Sequence, residues 1–372
     1  MDKRLLLASP HMSGEGYELE YINDAFRKNW IAPLGENVNE FEKAMGTYMG
    51  KGYPVALSAG TAALHLAMIL AGVKRGDAVF CQSLTFSASA NPVVYCGAKP
   101  VFIDSERETW NMDPAALRHA FELYGVPKAV VAVHLYGNPA KLDEIIAICH
   151  EHNVPLIEDA AEALGSTYNG QKCGTFGEFG GLSFNGNKII TTSGGGMLLC
   201  QTEEEAKHAL KLATQARENA PWYQHEEIGY NYRMTNVQAC LGLAQLERLE
   251  GFVETKKARY DQYKAALDGV HGLRILPFKE ESDGVRSNHW FYSLYLKDSG
   301  LDRDTVIAKL QEQGIQTRPV WALINEQADY PKNEAYALEK AQDYRKYIVN
   351  LPCSTNLTEQ DCERVIAAVK NL

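Results

Sequence analysis

Residues 54–72 read Pro-Val-Ala-Leu-Ser-Ala-Gly-Thr-Ala-Ala-Leu-His-Leu-Ala-Met-Ile-Leu-Ala-Gly. The run from Pro54 to Leu57 predicts a short strand, and Ala62 to Gly72, rich in alanine and leucine, predicts a helix. Between them lie only Ser58, Ala59, Gly60 and Thr61. A strand that enters a helix through so tight a turn of small residues makes an anion site. The first-turn amides there have no partner, and the helix dipole favours negative charge.

The same alternation continues downstream. Strands are predicted at 77–81, 100–103, 128–134 and 155–158, with helical stretches at 85–95, 113–121 and 142–152 between them. Continuous Val/Ile runs alternating with helices predict an α/β fold, a three-layer α/β/α unit whose mostly parallel sheet is covered on both faces. Two amphipathic helices, 17–28 and 36–48, precede it, and glycines at 174, 177, 180 and 181 mark irregular backbone after it. From Asn236 the texture changes. Val237 to Leu267 reads as one long or kinked helix, followed by an alternating stretch at 290–296 and helices at 304–313, 334–346 and 358–370. The expected division is a large unit at 13–249 and a smaller α+β unit at 250–372, the latter joined by residues 1–12.

Composition limits what such a chain does. Its 372 residues carry a formal net charge of -10 and no basic run, which argues against a nucleic-acid partner. Eight cysteines are scattered without a C-x-x-C pair and read as reduced thiols of a cytoplasmic protein. The apolar run near the N-terminus is interrupted by Pro10 and His11, and no stretch is long enough to span a membrane. Cys149, His150 and His152 lie late in an amphipathic helix without a matching partner cluster, so no metal site is expected. Asn356-Leu357-Thr358 matches a glycosylation acceptor only by chance.

Two residues carry the chemistry. Lys188 has no charged neighbour from Phe179 to Gln201, although charged residues make up 23% of the chain. Burial leaves a lysine with a usable amine, the form that condenses with an aldehyde; the alternative is a lysine snorkelling from a strand end. Asp159 ends the apolar strand Leu156-Ile157-Glu158, and ligands gather at the carboxyl ends of parallel strands. Lysine and carboxylate together point to pyridoxal 5'-phosphate, which needs an amine for its aldehyde, an acid for its pyridine nitrogen, and amides or hydroxyls for its phosphate. A nucleotide-binding loop does not fit. Asn187 separates Gly186 from Lys188, and Ile189 stands where a magnesium-binding hydroxyl belongs.

An ordered set of segments then resembles the DegT/DnrJ/EryC1/StrS sugar aminotransferase family, of the fold-type I pyridoxal phosphate class. They are Ser58 to Leu64, Thr85-Phe86, His134 to Gly137, Glu158 to Ala161, Ser183 to Lys188, and Gly229 to Asn236. The resemblance implies that Lys188 forms the Schiff base and then shuttles protons, and that Asp159 pairs with the pyridinium nitrogen. It implies further that Phe86 stacks on the ring, that Gly60, Thr61 and Ser183 hold the phosphate, and that Glu162 stands near the phenolic oxygen, where many relatives have glutamine. Asn231 matches a residue that reaches the phosphate of a neighbouring subunit, implying a homodimer with shared sites. Arg233 is a candidate for the donor carboxylate or a sugar-nucleotide anion.

Further stretches, His11 to Gly14, Asn29 to Glu36, Gly174 to Gly180, Asn185 to Met197 and Gln215 to Glu218, are similar to the bacillosamine-pathway branch of that family. That resemblance implies amination of C4 of UDP-2-acetamido-2,6-dideoxy-4-keto-hexose by L-glutamate. Ile31, Pro33, Leu34, Asn185, Arg318 and Trp321 are then expected near the sugar nucleotide, with His289-Trp290 able to act similarly; Trp290 and Trp321 read equally as core aromatics. The alternatives are a dTDP-linked keto-deoxysugar, another UDP-4-keto sugar, or a regulator that binds the cofactor without catalysis. Lys188 and Asp159 argue against the last.

Overall fold

The computed structural model describes residues 3–327, 330 and 335–372. Met1 and Asp2, and residue 334 at the start of the helix expected at 334–346, lie outside them. Among the described residues a seven-stranded sheet runs in the order Tyr53–Leu57, Gly196–Cys200, Phe179–Ser183, Leu156–Asp159, Ala129–Val133, Ala78–Gln82, Lys99–Ile103. The last five strands pair in parallel, whereas Gly196–Cys200 is antiparallel to both of its neighbours. The sheet is therefore mixed but mostly parallel. Ala129–Val133, buried at every residue, shows why these strands read as unbroken apolar runs: helices cover both faces.

The parallel strands end on the same side, and that edge sets the site. Leu57 leads into the Ser58–Thr61 turn, Asp159 ends its own strand, and Ser183 and Gly196 face each other in register where the antiparallel pair begins. The helix Gly60–Leu70 buries Gly60 and every residue from Ala62 to Met68, and its small residues let it lie close on the sheet. A Cβ on Gly196 would stand 2.3 Å from the carbonyl carbon of Ala59 and 2.4 Å from the nitrogen of Gly60, so the helix start rests directly on this strand. Gly196→Ala is expected to cost about 1–3 kcal/mol by overpacking. Urea unfolding and a titration with pyridoxal phosphate would register it as lower stability and weaker cofactor binding together.

The glycines at 174, 177, 180 and 181 were expected to mark irregular backbone, yet Gly180 and Gly181 lie inside the Phe179–Ser183 strand. Space is the reason. A Cβ on Gly180 would meet the Gly174 carbonyl oxygen at 2.0 Å, and one on Gly181 would meet Leu64 Cδ2 at 2.8 Å; glycine in a strand marks such close approach. The 85–95 stretch is likewise not one helix. A 3₁₀ turn at Ser87–Ser89 precedes a short helix, Asn91–Tyr95, whose first turn accommodates Pro92.

Thr235 and Gln238 form a capping box at the start of a 32-residue helix, Asn236–Leu267. It is continuous across residues 249 and 250, where the division between units is expected. Beyond it a four-stranded antiparallel sheet runs Arg274–Ile275, Tyr292–Tyr295, Ile348–Leu351, Arg318–Pro319. Helices Arg303–Glu312, Glu339–Tyr347 and Glu359–Lys370 accompany it. Leu5 exchanges backbone hydrogen bonds of 2.9 Å with Gly314 and Gln316 and is buried in the core of this region. Among the described residues no helix is long and apolar enough to cross a membrane.

Candidate active site

A cavity of about 440 Å³ opens at the carboxyl edge of the parallel strands. Lys188 enters it from a turn closed by its own backbone N–H on the Asn185 carbonyl, 3.0 Å away. That turn belongs to the connection between the antiparallel strands, which is itself pinned where Phe184 N–H meets Gly195 O at 2.9 Å and Thr192 N–H meets Phe184 O at 3.0 Å. The Lys188 side chain is 11% exposed; its Nζ stands 3.3 Å from Glu162 Oε1 and 4.0 Å from the centroid of the Trp290 ring. The stretch around Lys188 is uncharged along the chain but not in space.

Glu162 is held from two sides. Its Oε2 accepts the Tyr136 N–H at 2.8 Å while Oε1 faces Lys188. Burial pushes this carboxyl above its ordinary pKa; the Lys188 charge and the Tyr136 N–H pull it back, and Asp159 adds to the rise. Tyr136 donates from a left-handed conformation (φ 57), rare for so bulky a residue. Its ring is boxed by Trp110, Trp290, Phe291 and Trp321, which hold it there.

Asp159 is 5% exposed at the cavity wall. Ser89 Oγ donates to its Oδ2 at 2.6 Å, the Ala161 N–H approaches Oδ1 at 3.2 Å, and Thr85 Oγ1 lies 2.9 Å from Ser89 Oγ. The carboxylate is thus oriented at both oxygens. At the other end the Gly60–Leu70 helix has no side chain capping its N-terminus, so its first amides stay open toward the cavity beside Thr61 and Ser183. Phe86, 51% exposed, presents its ring to the same space, 5.6 Å from Trp321.

The structure therefore brings together Gly60, Thr61, Phe86, Asp159, Glu162, Ser183, Asn185, Lys188 and Trp321, with Trp290 beside them. Trp290 is both cavity wall and core, being 1% exposed. Other expected residues stand elsewhere in this chain. Ile31 and Leu34 are exposed, with Pro33 between them, on the connection before the Glu36–Met49 helix; Arg318 is exposed on the edge of the small sheet. Asn231 is exposed and bridges Thr214 through its backbone. Arg233 is not a free cation: its guanidinium is clamped by both oxygens of Glu42 and also donates to the Ala56 carbonyl at 3.1 Å.

Ser89 and the Tyr136 N–H have site contacts that sequence reasoning missed. Ser89 is one of several small residues in Thr85 to Ala90, and nothing in the local pattern singles it out. The donor set fits pyridoxal phosphate: an amine, a buried carboxylate across the cavity, open helix amides with two hydroxyls, and an exposed aromatic face.

Comparison with known proteins gives the family. A family profile described as the DegT/DnrJ/EryC1/StrS aminotransferase family matches residues 13–370. The chain is 48% identical, over its whole length and 96% of the relative's, to EpsN of Bacillus subtilis, described as a pyridoxal phosphate-dependent aminotransferase. It is 38% identical to GDP-perosamine synthase of Caulobacter vibrioides, covering 98% of this chain and 97% of that one. Among solved structures, the aminotransferase TlmJ of Streptoalloteichus hindustanus superposes with a TM-score of 0.92 at 30% identity, covering 99% of this chain and 98% of that one.

Proposed function

The chain belongs to the DegT/DnrJ/EryC1/StrS aminotransferase family, and on that premise we propose that it moves the amino group of L-glutamate to C4 of UDP-2-acetamido-2,6-dideoxy-4-keto-hexose. The products are the UDP-4-amino-4,6-dideoxy-N-acetylhexosamine and 2-oxoglutarate. The coarser identity needs no proposal: the protein is a sugar aminotransferase, and its cofactor is pyridoxal 5'-phosphate. The observation that carries the reaction type is the meeting of Lys188, Asp159 and the open start of the Gly60–Leu70 helix in one cavity.

Bound pyridoxal phosphate would supply an aldehyde that condenses with the amino group and a ring that takes up the electron pair freed at the amino-bearing carbon. Gly60, Thr61 and Ser183 would hold its phosphate, and Asp159 would keep a proton on its pyridine nitrogen. Lys188 Nζ takes the α proton from glutamate in the first half-reaction and delivers a proton to sugar C4 in the second. Glu162, 3.3 Å from that amine, receives its hydrogen bond and holds it toward the cavity. Phe86 and Trp321 provide an apolar face against which flat or ring-shaped groups would pack, and Asn185, on the same cavity wall, would contact the sugar.

The exposed positions of Asn231, Ile31, Pro33, Leu34 and Arg318 support a homodimer in which each chain completes the other's cavity. Glutamate and nucleotide sugars are cytoplasmic metabolites, and the protein is proposed to act there. The UDP assignment rests on the similarity of residues 11–14, 29–36, 174–180, 185–197 and 215–218 to the bacillosamine-pathway branch. A second reading, a GDP-linked sugar, is favoured by the 38% identity to a GDP-perosamine synthase. Incubating the protein with glutamate and a panel of UDP-, dTDP- and GDP-linked 4-keto-deoxysugars, with products read by mass and NMR, separates them. Amination of the UDP compound is expected; amination of the GDP or dTDP compounds alone would sink the preferred acceptor.

A further inference from the structure

The Asn236–Leu267 helix carries two adjacent lysines with opposite fates. Lys257 is exposed and paired with Asp261 at 2.6 Å, whereas Lys256 is 4% exposed. The Lys256 ammonium donates to two backbone carbonyls, Trp290 O at 3.0 Å and Cys353 O at 2.6 Å, and meets no carboxylate among the described residues. Burying an ammonium without a counter-ion is costly, and a neutral side chain would fill the same volume without that penalty.

Its surroundings give the cost a purpose. Lys256 is close to the Lys188 turn: Asn187, Lys188, Thr191, Gln245 and Lys256 line one narrow space, and Asn187 and Lys188 also line the cavity. Trp290 joins the two lysines. Its carbonyl accepts from Lys256, its indole N–H donates to the Asn187 carbonyl at 2.8 Å, and its ring lies 4.0 Å beneath Lys188 Nζ. The backbone of the tryptophan is thus tied to one lysine, while its ring supports the amine of the other.

We propose that Lys256 is a positioning residue for Lys188, acting through Trp290, whose indole it holds under the reacting amine and against the Asn187 carbonyl. This rests on the reading of Lys188 as the residue that engages the cofactor. Without the Lys256 tie, the Trp290 carbonyl loses its donor; the residue is then held only at its N–H, by Asn288 Oδ1 at 3.0 Å and Tyr136 O at 3.2 Å, and at its indole, and the platform under the amine is free to shift. The fold is retained, because the Tyr292–Tyr295 strand and the helix keep their other contacts.

The test uses the cofactor-loaded protein with Lys256→Met, whose side chain is of similar length and apolar. Thermal unfolding reports whether the variant folds. The visible circular dichroism of the bound cofactor reports its orientation, and the glutamate half-reaction is resolved into kcat and KM. The expected result is an altered visible dichroism and a kcat lower by about tenfold or more, with KM within about threefold. A purely structural lysine would lower the unfolding temperature and leave both of these signals per folded molecule unchanged, and that result overturns the proposal. Should Lys256→Met not fold, Trp290→Phe, which keeps a ring but loses the indole tie, carries the test. An unchanged dichroism and kcat there overturns the link. Lys188→Ala separates the premise: if it keeps a reducible lysine–cofactor bond, both the premise and the proposal fall.

Discussion

Lys188→Ala is expected to abolish the absorption band of the lysine–cofactor Schiff base and to lower turnover by at least about 10³- to 10⁴-fold. Two losses act together. The amine that attaches to the aldehyde is gone, and so is the group that moves the proton between the amino-bearing carbon and the cofactor. Nothing nearby substitutes for it, because Lys188 is the one lysine or arginine among the described residues lining the cavity. The fold is expected to survive. The Lys188 backbone N–H still closes its turn on Asn185, and the connection stays pinned by Phe184, Thr192 and Gly195. Borohydride treatment followed by peptide mapping checks the assignment: a labelled lysine elsewhere in the variant would refute it.

Asp159→Asn is expected to lower kcat by about 10²- to 10³-fold, the range typical of removing one aimed electrostatic partner from a reacting centre. The amide is nearly isosteric with the carboxylate. It keeps an acceptor for Ser89 or Ala161, so thermal unfolding is expected to move little. What it lacks is the charge that keeps a proton on the pyridine nitrogen, and without that proton the ring accepts electrons poorly. Single-turnover kinetics with glutamate would place the loss in the proton-abstraction step; a rate within threefold of the parent protein would contradict the role proposed for Asp159.

The part of the site that depends on neighbours along the chain was legible. Residues 54–72 announce a strand, a turn and a helix start in one short stretch, and Asp159 announces itself at the end of an apolar run. Lys188 stood out because its sequence neighbours are uncharged, but that signal is silent on its contact with Glu162, 26 positions away, which entered the site only through the family resemblance. Arg233 looked like a binding arginine for the converse reason. Its fork suits any carboxylate, and the one it meets is Glu42, on a helix nearly 200 residues earlier.

Gly180 and Gly181 were read as irregular backbone because glycine weakens strands in general; here the absence of a side chain is what lets the strand pass Gly174 and Leu64. Lys256 could not be told from Lys257 at all. Adjacent positions on a helix point about 100° apart, and only the packing of the helix decides which lysine is enclosed.

The antiparallel Gly196–Cys200 strand has a consequence for motion. Because it runs back between Phe179–Ser183 and Tyr53–Leu57, both ends of the connection bearing Lys188 are stitched into the sheet interior. A surface loop opens at little free-energy cost, but this one is tethered to strands whose exchange with solvent requires the core itself to come apart. The amine that must be mobile enough to leave and return to its partner therefore moves through its own side-chain torsions, on a backbone that opens only with the sheet.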